Sequence, residues 1–430
     1  MPLSVFAWCV VASSWLGGVA LAQGDPTGTG WQEDEALPVE IHGFGEAATA
    51  TRVTGDPTQP GDFLLNEVRF RLELSHFEDL ADFIVKADLI ADAVPEAVEI
   101  DIRQATVTLH LADWLDLRAG RQVLTWGTGD LVFLNDLYPK DFVSFFIGRG
   151  EEFLKAPSNS MKFTLYSEVA NLDLVWTPIF EPDRFITGER LSFFDPSAGR
   201  LVSATTMGAP LESVRPAKEL ENGEFASRIF RNVGGYELSA YGYWGFTKQP
   251  RAFDAAANMA THSRLAVYGA SVRGTVLGGI ANVEGALYDG ADDVGADPSI
   301  PNSEIRGLVG YERELLPDLT AGFQYYLEWI QDHDELVANS PTPQFEPDEA
   351  RHTFTSRLTY RLMQQTLTLS LFAFVSPGDE DAHLRPSVTK KWSDAVTIAA
   401  GANIMVGDES AFFGQLEHNS NAYLRMRYSF

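Results

Sequence analysis

Residues 67–74 read Glu67-Val68-Arg69-Phe70-Arg71-Leu72-Glu73-Leu74. Every second side chain is apolar (Val68, Phe70, Leu72, Leu74), and each one between is charged (Glu67, Arg69, Arg71, Glu73). Successive side chains of a strand point to opposite faces, so this stretch makes a strand with one oily face and one charged face. A soluble sandwich also alternates, but it seldom sustains arginine and glutamate behind an unbroken apolar face. A strand that crosses a bilayer in a closed barrel does so by necessity, with oil outside and water inside.

The pattern recurs on both sides of this stretch. Phe83, Val85, Ala87 and Leu89 alternate with Lys86 and Asp88, and Ala105, Val107, Leu109 and Leu111 with Thr106, Thr108 and His110. Further on, Leu319, Ala321, Phe323, Tyr325 and Leu327 stand against Thr320, Gln324 and Glu328. In 353–362, Phe354, Leu358, Tyr360 and Leu362 stand against Thr353, Thr355, Arg357, Thr359 and Arg361, with a one-residue slip of parity expected inside the segment. Leu367, Leu369 and Leu371, then Val396, Ile398, Ala400, Ala402 and Ile404, continue the series. Short turns, such as Ala112–Trp114 and Met363–Gln364, alternate with long and mostly acidic loops at 126–159, 180–223, 247–262, 289–303, 331–350, 377–382 and 407–420. The expected fold is therefore all-β: a transmembrane antiparallel β-barrel of about 18 strands, 16 being the alternative, with short periplasmic turns and long extracellular loops. Trp126, Trp176, Trp244 and Trp329 are expected in an outer aromatic girdle, and Trp114, Trp392, Tyr428 and Phe430 in an inner one.

Composition agrees. The 430 residues are 45% hydrophobic, and after the first 22 positions no apolar run is long enough for a membrane helix. Residues 1–22 read as a signal peptide ending Ala20-Leu21-Ala22, residues 23–38 as a periplasmic N-terminal segment, and 39–430 as the barrel. The single cysteine, Cys9, falls in the leader, which leaves no thiol chemistry and no disulfide framework for the exported chain. With 32 Lys+Arg against 60 Asp+Glu, the net charge of −28 argues against a nucleic-acid partner.

The last strand places Leu424, Met426, Tyr428 and Phe430 on one face and Tyr423, Arg425, Arg427 and Ser429 on the other. An alternating strand that stops at Phe430 resembles the sorting signal of bacterial outer-membrane barrels, which implies the barrel assembly machinery as a partner. Residues 117–127, Leu-Arg-Ala-Gly-Arg-Gln-Val-Leu-Thr-Trp-Gly, resemble a strand end of porin-like outer-membrane families. The overall plan is similar to 18-strand barrels of the alginate-export type. The resemblance implies an outer-membrane channel whose loop 126–159 folds inward.

Fixed charges on the wall decide what a water-filled lumen passes. The expected pore-lining set is Glu67, Arg69, Arg71, Glu73, Lys86, Asp88, Arg118, Arg357, Arg361, Arg425 and Arg427. Arginines two apart on one strand form short ladders along which an anion could pass, unless neighbouring acids neutralise them. The expected constriction loop carries Asp130, Asp136, Lys140, Asp141, Arg149, Glu151, Glu152 and Lys155, whose acids would face the wall arginines. Arg103 and Arg121 fall on the lipid side of their strands, which demands either a bulge or a place near the interface. The function expected is diffusion of small polar solutes, anionic ones among them, with lipid and lipopolysaccharide around the barrel. Homo-oligomerisation is left open. No cofactor motif or metal-ligand spacing is present, and the eight histidines form no triad-like grouping. A sheath or docking scaffold around a partner protein, and a lipid-modifying barrel enzyme, are the alternative readings.

Overall fold

A computed structural model describes residues 39–291 and 295–430; the expected signal peptide and N-terminal segment lie outside these residues, as do Asp292 and Asp293. The strands are β1 (Glu40–Arg52), β2 (Phe63–Phe77), β3 (Ala81–Asp92), β4 (Ala97–Ala112), β5 (Leu115–Gln122), β6 (Ser158–Leu165), β7 (Asn171–Thr177), β8 (Glu224–Val233) and β9 (Tyr236–Phe246). They continue as β10 (Arg264–Val276), β11 (Gly279–Gly290), β12 (Glu304–Leu316), β13 (Leu319–Ile330), β14 (Ala350–Leu362), β15 (Leu367–Ser376), β16 (Asp381–Lys391), β17 (Val396–Val406) and β18 (Asn421–Ser429). Each pairs antiparallel with its sequence neighbours in one 18-stranded sheet. β1 also pairs with β18, from Phe44↔Ser429 to Arg52↔Asn421, so the cylinder closes and no edge is left open.

The outer face is apolar. Val68, Phe70, Phe83, Leu89, Ile100, Val283, Val309, Leu424 and Met426 all stand exposed. Leaving such a side chain in water instead of burying it costs roughly 1.5–3 kcal/mol. A continuous band of them belongs against hydrocarbon. Trp244 and Trp329 lie exposed near the loop ends of β9 and β13, and Trp114 and Trp392 in turns at the opposite end. Trp126 departs from the girdle expected of it. It turns inward and packs on Tyr138 (5.1 Å between ring centroids) and on Tyr241 (6.1 Å).

Two arginines resolve differently. Between β3 and β4 the register runs Lys86↔Gln104 and then Ala87↔Ile102, leaving Arg103 as the extra residue of a bulge. The bulge inverts the parity of β4: Ile100 and Ile102 face out before it, Leu111 after it, and Arg103 is turned inward to 5% exposure. Its Nη2 donates to the carbonyl oxygens of Lys155 (2.6 Å) and Glu152 (3.2 Å). At Arg121, by contrast, the pairing with β4 runs without a shift. The side chain reaches the Ile102 carbonyl (2.8 Å) and Glu181, in the loop after β7, so the charge is satisfied locally. Neighbouring Gly120 has φ +125°, and a Cβ there would stand 2.1 Å from the Ala105 oxygen, so only glycine fits. The parity slip expected in β14 is absent; its ladders to β13 and β15 are continuous, and His352 and Ser356 take outward positions between the apolar ones.

Candidate solute pathway

The loop joining β5 to β6, residues 123–157, lies inside the barrel. At its start, Thr128 and Asn135 bond Glu284 of β11, and the Asp130 amide donates to Gln324 of β13 (2.8 Å). A one-and-a-half-turn helix α1 (Phe142–Phe146) follows, capped by Asp141, whose Oδ1 accepts the Ser144 amide (2.7 Å). The Phe146 carbonyl then accepts from Asn403 of β17 (3.1 Å) and Asn421 of β18 (2.8 Å). Arg149 reaches Glu67 of β2 (2.6 Å). The loop is thus fastened to strands around most of the wall.

Its apolar residues build a core within the bore. Leu134, Phe145, Phe146, Ile147 and Leu154 pack with inward-facing Tyr288, Leu308, Tyr326, Phe372, Phe374 and Met405. The stretch Leu371-Phe372-Ala373-Phe374-Val375 carries a usable signal of this: it is apolar on both faces, as a strand buried on both sides must be.

The charged residues fall into three groups. On β2 and β3, Asp88 is fully buried and holds two guanidinium groups, Arg69 at 2.6 Å and Arg71 at 2.5 Å. Arg69 also meets Glu67 (3.0 Å), and Lys86 meets Glu73 (2.8 Å). The Phe153 ring of the inner loop lies against this cluster, 4.2 Å from the Arg69 guanidinium carbon and 5.3 Å from that of Arg71. Arg69 and Arg71 are therefore on the inner face but neutralised and covered.

The second group joins the loop to β14–β18. Arg357 grips Asp130 (2.5 Å) and touches Glu151 (3.5 Å), Arg385 meets Glu151 (3.3 Å), and Arg427 bridges Glu46 (2.8 Å) and Glu152 (2.5 Å). Burial pushes the Glu152 carboxyl up, yet Arg427 and Arg425 hold it below its ordinary value. Arg425 makes no ion pair among the described residues, its Nε is buried without a partner, and its guanidinium faces the Tyr423 ring. Among the described residues Arg118 bonds the Thr108 hydroxyl and no acid, and Arg361 is exposed at the turn end of β14.

The third group ties three loops together. Lys140 is buried, with Nζ on Asp136 (2.9 Å) and on the Tyr138 carbonyl (2.6 Å). Asp136 also receives Lys155 (3.9 Å), and Asp141 receives Arg184 (3.3 Å). Asp183 accepts the Lys140 amide (2.7 Å), while its own amide donates to the Lys248 carbonyl. Burial pushes the Asp183 carboxyl up to about 6, against the pull of Lys140 and Lys248. Because the folded value lies above the unfolded 3.8, its contribution is fully present below about pH 4 and is lost as pH rises through about 6. Relative to Asp183→Asn, the unmodified barrel should lose about 3 kcal/mol of stability between pH 4 and pH 8. Urea unfolding of both proteins across that range checks this; a constant difference would refute it.

Sequence reasoning missed Glu284, Gln324, Arg385, Asn403 and Asn421 as partners of the loop. Each is a polar residue at an inward position, and nothing local distinguishes it from a solvated wall residue. Among the described residues no cluster of His, Asp and Glu is arranged to hold a metal ion.

No family model matches the sequence, and no curated protein does. Solved structures of similar fold exist. OccAB3 of Acinetobacter baumannii is 10% identical, covering 91% of this chain and 99% of its own, with a TM-score of 0.55. OccK5 (OpdH) of Pseudomonas aeruginosa is 10% identical, covering 91% and 98%, with a TM-score of 0.53. These neighbours are bacterial outer-membrane porins, and what they share with this chain at such identity is the closed barrel.

Proposed function

We propose that this chain is a channel of the bacterial outer membrane for diffusion of small polar solutes, with the inner loop forming its narrowest section. The observation that carries this reading is the contrast between two surfaces of one wall. Outward positions are apolar, while inward positions on the turn side of the loop stay charged and wet, among them Glu73, Lys86, Arg118, Glu237 and Arg361. A barrel that only anchored a partner would need no charged bore. The acid–arginine pairs at the loop's edge hold it in place, since they close at 2.5–3.5 Å and leave no gap to polarise. Any anion preference then belongs to inward arginines without an acidic partner among the described residues, such as Arg118 and Arg361, rather than to Arg69 and Arg71.

Planar-bilayer recording of the purified protein tests the reading. Discrete conductance steps in salt are expected, with a reversal potential displaced toward the anion in a salt gradient. Replacing Arg118 and Arg361 together by Ala should reduce that displacement. Absence of any conductance step would sink the channel reading.

A further inference from the structure

Beneath the start of the inner loop lies an open recess of about 80 Å³ in the wall of β10–β15. Gly322 makes the room, while the space over Gly310 is taken up by the Asn282 side chain. Gly310 and Gly322 both occupy inward positions, in rows where β10, β11 and β14 supply polar groups. One row runs Arg273↔Asn282↔Gly310↔Gln324, and the next, nearer the turns, runs Glu312↔Gly322↔Arg357.

The charges around this recess are of two kinds. Arg357 is already gripped by Asp130. Arg273 and Glu312 are exposed, and among the described residues neither has an ion-pair partner. They are opposite in sign and stand on strands two apart, about 10 Å across the sheet, with one dyad of offset along it. The Glu312 side chain lies over Gly322, where no side chain intervenes. Two long side chains of opposite charge face one hollow without meeting, so a solute carrying both charges can bridge them.

We propose that this recess is a binding subsite for amphoteric solutes of the amino-acid class, with the carboxylate on Arg273 and the ammonium group on Glu312. Asn282 supplies the neutral polar surface between them. The proposal rests on the channel reading and narrows it to a solute class. A simple anion satisfies only Arg273 and meets Glu312 as a repulsive neighbour; a simple cation meets the reverse.

The test is block of the bilayer current by three probes at low ionic strength, where exposed charges are least screened. L-glutamine carries both groups, glutaramate only the carboxylate, and 4-aminobutanamide only the ammonium. Each protein's block is normalised to its own open current. Glutamine should block saturably, at a concentration about tenfold below that of either analogue, as one additional charged contact of roughly 1.5 kcal/mol implies. Arg273→Gln and Glu312→Gln should each erase that advantage. Equal block by all three probes, or an advantage that survives both substitutions, overturns the subsite and leaves the channel standing. A protein that carries no current at all overturns both readings together.

Discussion

Asp88→Ala is expected to remove about 3–5 kcal/mol from the stability of the folded barrel. The carboxylate is fully buried and receives three short hydrogen bonds, one from Arg69 and two from Arg71, at 2.5–2.7 Å. Charge-assisted bonds of this length are strong, and they are the condition on which two guanidinium groups stay under the Phe153 ring. Without Asp88, the ion pairs left among the described residues are Arg71 with Glu73 at 3.9 Å and Arg69 with Glu67, which Arg149 also claims. The cost arises from leaving positive charge buried, more than from losing the attraction itself. Asp88→Asn keeps the shape and one acceptor and should lose less. Unfolding by guanidinium of protein reconstituted in lipid vesicles measures the difference. A loss below about 1 kcal/mol would show that water reaches the cluster and that it behaves as a surface pair.

Excision of the inner loop is expected to raise single-channel conductance several-fold while the barrel still closes. β5 and β6 are already paired at their ends, Gln122 opposite Ser158, so a turn of about four glycine-rich residues can replace 123–157. The strand ladders need nothing from the loop. What they lose is the core around Phe145 and Phe146, so lower thermal stability should accompany the wider bore. Unchanged conductance in the excised protein would place the narrowest section elsewhere.

How much of this was readable beforehand follows from the reach of each interaction. The outer face was legible because lipid imposes one rule on every second residue, and that rule is local: Val68, Phe70, Leu72 and Leu74 suffice to state it. The inner placement of Arg69 and Arg71 followed from the same parity. The bulge at Arg103 announced itself as a conflict, a charge on the oily side, but only the pairing with Lys86 and Ala87 fixes where the extra residue sits. The loop's seat was illegible in detail because its anchors are remote. Asp130 and Arg357 are 227 residues apart, and no local pattern relates them. Trp126 went astray for a related reason: a tryptophan at a strand end serves a girdle equally well as an interior stack, and Tyr138 and Tyr241 decide between them.

The spread of the inner loop's anchors also dictates an order of events during biogenesis. Its partners run from Glu67 of β2 to Arg427 of β18, the strand that closes the sheet on β1. Docking of residues 127–153 therefore cannot finish until the final hairpin has zipped against the first strand. A nascent sheet still open at that seam has an unfilled interior, and the completed tertiary clasp becomes a molecular record that the circle has been joined.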